Sequence, residues 1–211
     1  MIVAKRGSTP QERILVVGIC GSLREGSHTR DALKIALEGA EEGGAQTQLI
    51  DLRDYNLPFC DGKDDRVDRP DVKRLREVVR PAQGVILATP EYHGSLSGIL
   101  KNSLDLMGFK EFEGKMVGLV GVSGGRLGAA GGLDALRQVG RALRAWVVPM
   151  QASIPEADQA FGPDGRLKDR RQEERLKEVG RQVAQFACLH NAENALKFME
   201  SWEQAPQNPG G

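Results

Sequence analysis

Cysteine is scarce in this chain: Cys20, Cys60 and Cys188 are the only three in 211 residues. They lie far apart, with no CxxC pair and no histidine at zinc-ligand spacing. Neither a disulfide framework nor a metal site is expected, and a reducing cytoplasm is the expected setting. Long apolar runs are missing too. No window approaches the roughly 20 apolar residues of a membrane-crossing helix, and MIVAKRGSTPQE at residues 1–12 has no apolar stretch of signal-peptide length. Net charge is absent, since 29 Lys and Arg balance 29 Asp and Glu. No global field draws the chain to nucleic acid or to an anionic membrane, and neither partner is expected. Two nucleotide signatures also fail. Gly21 and Gly26 have the P-loop spacing, but Ser27 stands where GxxxxGK[ST] needs its lysine. Gly18 and Gly21 are wrongly spaced for GxGxxG.

What is present is an alternation of apolar runs and helical periodicity. RILVVGI (13–19), GVILATP (84–90) and KMVGLVGV (115–122) read as strands buried on both faces. QTQLIDL (46–52) alternates weakly, and WVVPMQASI (146–154) reads as a fifth strand interrupted at Pro149. Helical spacing follows each strand: Leu33, Ala36, Leu37 and Ala40, then a helix over 70–81, then Ile99, Leu100, Leu104 and Met107, then Leu133, Leu136, Val139 and Leu143, and last Leu176, Val179, Val183 and Phe186. Five strand–helix units predict an α/β chain with a parallel sheet covered on both faces. No shift in composition divides it. A single domain over 13–195 is expected, with flexible termini at 1–12 and 202–211.

Ligands of such sheets bind beyond the carboxyl ends of the strands, which directs attention to the loops after strands one, three and four. GICGSLREGSHTR enters a helix with Ser22, Ser27 and Thr29 as hydroxyl donors and Arg24 as a forked cation. A helix N-terminus already favours an anion, so this set suits a terminal phosphate. The bland alternative is a hydroxyl cap and a solvated arginine. PEYHGS follows strand three. Pro90 stiffens its exit, Tyr92 and His93 offer flat polar-edged faces, Gly94 permits close backbone approach, and amides along 92–95 can meet the edge of a heteroaromatic ring. Glu91 and His93 read equally as surface groups, and Ser95 or Ser97 as a helix cap. Lys101 and Asp105 stand four apart and read as an intrahelical salt bridge. VSGGRLGAAGG (122–132) brings Ser123, Gly124 and Gly125 after strand four, with Arg126 either at a ligand or solvated. Cys20 reads as a small buried residue, and Asp51 as structural.

GSLREGSHTRDAL resembles the GSLRxxSxxxxL phosphate loop of the NADPH-dependent FMN reductase family, and PEYHGSLSGILKNSLD is similar to that family's PEYNGSxPGxLKNxxD. The resemblance implies a flavodoxin-like three-layer sandwich with a five-stranded parallel sheet of order 2-1-3-4-5. It implies FMN, gripped at its phosphate by Ser22, Arg24, Ser27 and Thr29. Pro90, Glu91, Tyr92, His93, Gly94 and Ser95 match the loop along the flavin ring, and Ser123, Gly124 and Gly125 the loop bordering it. Arg126 would neutralise a reduced flavin or hold the phosphate of a nicotinamide cofactor. His93, Ser97 and Thr29 depart from the usual Asn, Pro and Asn. The implied activity is ping-pong hydride transfer from NADPH, or NADH, through FMN to a flavin, quinone, azo dye or metal oxyanion. No side chain is expected to act as acid, base or nucleophile, because the cofactor carries the chemistry. A homodimer or homotetramer is implied, with Leu104, Leu106, Met107 and Phe109 as its candidate contact. The rival is a flavodoxin-type electron carrier without a nicotinamide site. The neutral charge and the lack of a TxTGxT loop argue against it.

Overall fold

A computed structural model describes residues 14–63 and 69–191. The expected termini, and the outermost residues of the expected domain, lie outside these. Five strands run parallel: β1 (Leu15–Cys20), β2 (Gln46–Asp51), β3 (Gly84–Tyr92), β5 (Met116–Val122) and β6 (Trp146–Ile154). Their order is β2-β1-β3-β5-β6, which is the expected flavodoxin-like order. A two-residue strand, β4 (Ser95–Leu96), folds back antiparallel on β3. It escaped sequence reading because two residues carry no period.

Burial explains the character of each run. β5 is buried along its whole length and β1 almost so, and both are unbroken apolar stretches. β2 is an edge strand whose first four residues alternate between exposed and half-buried, hence its weak pattern. β6, on the other edge, is not broken by Pro149. The register against β5 shifts instead between Val117 and Leu119. Proline is tolerated at such an edge irregularity because no ladder hydrogen bond is lost. The neighbouring Met150 amide bonds the Gln182 side chain at 3.3 Å.

Helices cover both faces. α1 (His28–Glu42) and α7 (Arg170–His190) pack on one, burying Leu33, Ala36, Val179 and Val183 against Val16 and Ile86. α2 (Pro70–Val79), α3 (Gly98–Asp105) and α5 (Ala130–Ala142) cover the other, with Leu75, Leu100 and Leu136 against Ile19, Leu87 and Leu119. α1 and α7 cross at glycines. A Cβ at Gly180 would lie 1.8 Å from the Ala36 carbonyl oxygen, and one at Gly39 would lie 2.0 Å from that of Lys177.

A 3-10 turn at Leu52–Asp54 and two short helices, α4 (Phe109–Phe112) and α6 (Ala157–Ala160), complete the described elements. Lys101 and Asp105 form the expected pair at 2.7 Å. The expected contact surface needs correction: Leu104, Leu106 and Met107 are buried in this chain's own core. Only Phe109 is exposed, and the Arg144 guanidinium covers its ring at 4.2 Å.

Candidate functional site

The carboxyl ends of β1, β3 and β5 open into a cleft. Its first wall is the loop into α1. Gly21 anchors that loop: its amide bonds the Ala88 carbonyl of β3 at 2.8 Å, and its carbonyl accepts the Ser97 hydroxyl at 2.6 Å. Ser97 also receives the Leu100 amide as N-cap of α3, while its own amide donates to Thr89 Oγ1 at 2.9 Å. The serine standing where the family has proline therefore joins the first loop to the third-strand loop.

Ser22, Ser27 and Thr29 all line the cleft and are buried. Ser27 is the N-cap of α1, yet its hydroxyl makes no capping bond. A hydroxyl cap from Ser27 is therefore absent: the Arg30 and Asp31 amides bond the Ser27 carbonyl instead, at 2.9 and 3.2 Å. Arg24 lines the cleft, is exposed, and makes no ion pair among the described residues.

The second wall is the β3–β4 hairpin. Pro90, Glu91 and Tyr92 line the cleft. Glu91 also has a packing role, since its carboxylate accepts the Gly132 amide in the first turn of α5 at 2.8 Å. His93 and Gly94 form the turn, at φ 51° and 77°. His93, Gly94 and Ser95 do not line the cleft. Ser95 pairs with Tyr92 across the hairpin, and the Gly94 carbonyl packs against α5, where a Cβ on Gly131 would lie 2.1 Å from it.

The third wall follows β5. Ser123 and Gly124 line the cleft, and Gly124 has open space around its Cα. Gly125 does not line it; its amide donates to Ser123 Oγ at 3.0 Å. Arg126 also lies outside the lining, 89% exposed and 3.3 Å from Glu156, which fits the solvated reading.

Asp51 is structural. Arg30 Nε reaches its carboxylate at 2.7 Å and Arg53 Nη2 at 2.8 Å. Burial pushes its pKa up, but hydrogen bonds from Arg53 and Arg30 outweigh that and hold it at about 2. Cys20, beside it, is fully buried, and burial pushes its thiol pKa up, the reverse of a reactive cysteine.

Sequence reading missed four cleft residues of consequence: His28, Val122, Ala157 and Asp158. His28 was visible inside the loop motif. Ala157 and Asp158 belong to α6, whose four residues are too short for periodicity to reveal.

Residues 14–159 match the NADPH-dependent FMN reductase family. The chain belongs to that family. It is 31% identical to the NADPH-dependent FMN reductase ArsH of Shigella flexneri, over 85% of this chain and 70% of that protein. It is 36% identical to an FMN-dependent NADPH-azoreductase of Staphylococcus aureus, over 70% of this chain and 80% of that one. Its fold is shared with the flavoenzyme NAD(P)H:(acceptor) oxidoreductase FerB of Paracoccus denitrificans, at TM-score 0.68 and 24% identity, covering 84% of this chain and 98% of the other. As an FMN reductase family member the chain is an oxidoreductase using FMN and NADPH. The donor set fits FMN: a helix N-cap hydroxyl that makes no capping bond and an exposed arginine with no ion pair among the described residues both line the cleft. Among the described residues no helix is long and apolar enough to cross a membrane, and no cluster could hold a metal ion.

Proposed function

We propose that this cleft holds FMN, with Ser22, Arg24, Ser27 and Thr29 at its phosphate and Pro90, Glu91, Tyr92, Ser123 and Gly124 beside its ring. The observation carrying this reading is Ser27, a helix N-cap whose hydroxyl is withheld from the helix in a wall shared with Arg24. Bound FMN supplies reversible two-electron chemistry. The chain orients it, keeps one side of the cleft open, and supplies amides and a guanidinium against negative charge. NADPH and the acceptor take turns at the open side, in ping-pong order. The acceptor is a small two-electron oxidant: a free flavin, a quinone, an azo compound or a metal oxyanion. The thiols of Cys20 and Cys60 suit a reducing cytoplasm. A homodimer or homotetramer belongs to the same proposal, with Leu23, Tyr92 and Leu127 as exposed apolar groups beside the cleft. Sedimentation as a monomer at all concentrations counts against it.

The test is the visible spectrum of the purified chain supplied with FMN and titrated anaerobically with NADPH. A bound-flavin spectrum that bleaches is expected. A bound flavin that neither NADPH nor NADH bleaches turns the reading into an electron carrier. No bound flavin overturns it.

A further inference from the structure

Ser97 is buried at the start of α3, and its hydroxyl and its amide bond two different walls of the cleft. The hydroxyl donates to the Gly21 carbonyl at 2.6 Å, one residue before Ser22. The amide donates to Thr89 Oγ1 at 2.9 Å, and the Thr89 hydroxyl donates on to the Pro90 carbonyl at 2.8 Å. Ser22 and Pro90 line the cleft, whereas Ser97 and Thr89 do not. We propose that Ser97 is a positioning residue: its hydroxyl sets the phosphate wall and its amide sets the ring wall, so that the two ends of the flavin are held at a fixed spacing. The proposal rests on the FMN reading above.

The hydrogen bonds leave little freedom. A hydroxyl has one proton to give. Ser97 gives it to Gly21 while accepting the Leu100 amide at 3.4 Å, and Thr89 gives it to Pro90 while accepting the Ser97 amide. Both side chains are buried, so a partner lost here is not replaced by water. The Gly21 loop has nowhere else to settle. Its amide bonds the Ala88 carbonyl at 2.8 Å, and a Cβ on Gly21 would lie 2.8 Å from both that oxygen and Leu100 Cβ. The first turn of α3 is therefore the common support of the two walls.

Proline, the residue of the family pattern at this position, has neither an amide proton nor a hydroxyl, and could make neither bond. Serine adds both in this chain. Groups that bind a ligand keep their geometry only as well as the hydrogen bonds behind them. The two bonds also divide by ligand end. The hydroxyl bond bears on the loop that carries the phosphate donors, and the amide bond bears on the loop beside the ring.

The experiment measures Kd for FMN and for riboflavin, by quenching of flavin fluorescence, in the wild-type chain and in Ser97→Ala, Thr89→Val and Ser97→Pro, with urea unfolding of each flavin-free chain alongside. Riboflavin has the ring and no phosphate. Ser97→Ala removes the hydroxyl bond and should weaken FMN about fivefold, while riboflavin changes by less than about twofold. Thr89→Val removes the acceptor at the ring end and should weaken both flavins alike, again about fivefold. Ser97→Pro removes both bonds and should weaken FMN more than either. A merely structural serine would lower the urea midpoint of Ser97→Ala and leave its FMN-to-riboflavin ratio unchanged, and that result overturns the proposal while leaving the FMN site standing. Should Ser97→Ala fail to fold, Thr89→Val decides: equal weakening of the two flavins upholds the proposal, and unchanged affinity overturns it. A wild type that binds neither flavin overturns the FMN reading itself.

Discussion

The loops after β1 and β5 are both rich in glycine and serine, yet they use those residues differently. In the first, the backbone does the anchoring: the amide and carbonyl of Gly21 hold the loop to β3 and Ser97. Ser22 Oγ accepts the Arg24 amide at 3.3 Å, while the Ser27 hydroxyl makes no bond to the helix it caps. In the second, Ser123 Oγ likewise accepts the amide two residues on, that of Gly125, and the difference lies in the glycines. Most of its glycines serve packing. Gly131 lets α5 touch the hairpin, and Gly128 sits at φ 70° where a Cβ would lie 2.3 Å from Ser153 Oγ. The first loop is built as a ligand wall. The second is a joint between α5, the β3–β4 hairpin and α6, with Gly124 alone in open space.

The sharpest way to break this comparison is within the second loop. Gly131→Ala would drive a methyl into the Gly94 carbonyl, backbone against backbone with nothing flexible to yield. It should cost about 3 kcal/mol, the upper end for overpacking. Gly124→Ala meets no atom within 4 Å, and its change should stay within about 0.5 kcal/mol. Urea unfolding of the two variants measures the difference. Equal effects would mean that the loop has no division between joint and ligand wall.

Behind the first loop, Asp51 ties α1 to the end of β2 through Arg30 and Arg53. Its pKa falls from 3.8 to about 2 on folding. A depressed carboxylate pKa adds stability that is fully present above the unfolded value and is lost as pH falls through the folded one. About 2 kcal/mol should therefore disappear between roughly pH 4 and pH 2. Unfolding free energy measured across that range checks this, and Asp51→Asn should flatten the slope. A slope unaltered by Asp51→Asn assigns the acid sensitivity to other carboxylates.

A smaller effect sharpens the claim that the first loop serves a ligand. Arg24→Ala removes an exposed cation that makes no ion pair among the described residues, so unfolding should not change. One charge-assisted contact to phosphate should go, weakening FMN by about 1.5 kcal/mol, or roughly tenfold in Kd. Riboflavin, which has no phosphate, should bind the variant and the wild type alike. Equal loss for both flavins would place Arg24 away from the phosphate.

Local rules made most of this legible. Apolar runs marked β1, β3 and β5, the 3.6-residue period marked the long helices, and the hydroxyl-rich turn marked the phosphate wall. What stayed hidden depends on residues distant in sequence. Glu91 reads as a surface or flavin-side acid until α5 arrives 41 residues later and places the Gly132 amide on its carboxylate. Ser97 reads as a cap, and its hold on Gly21, 76 residues earlier, has no local signature. His28 and Asp158 meet only because β6 ends beside β5. Leu104, Leu106 and Met107 read as a candidate contact because an apolar stretch in the sequence does not say what covers it. Here the chain's own core does.

The smallest expected effect concerns His93, which stands where the family has asparagine. The hairpin turn puts it at φ 51° and Gly94 at φ 77°. Both central residues of such a two-residue hairpin need positive φ, and asparagine followed by glycine is its strongest pattern. Histidine tolerates that region less well than asparagine, whose short amide can hydrogen-bond locally. His93 does not line the cleft. His93→Asn should therefore stabilise the fold by about 0.5 kcal/mol, read as a rise in urea midpoint at constant m-value. FMN affinity should be unchanged. NADPH turnover with different acceptors is the informative second reading, because the turn borders the open side through Tyr92. A change in acceptor preference with constant FMN affinity would mean that the strained histidine serves substrate choice. Unchanged kinetics beside a more stable fold would make it a departure tolerated at a turn. A loss of stability would refute the strain argument itself.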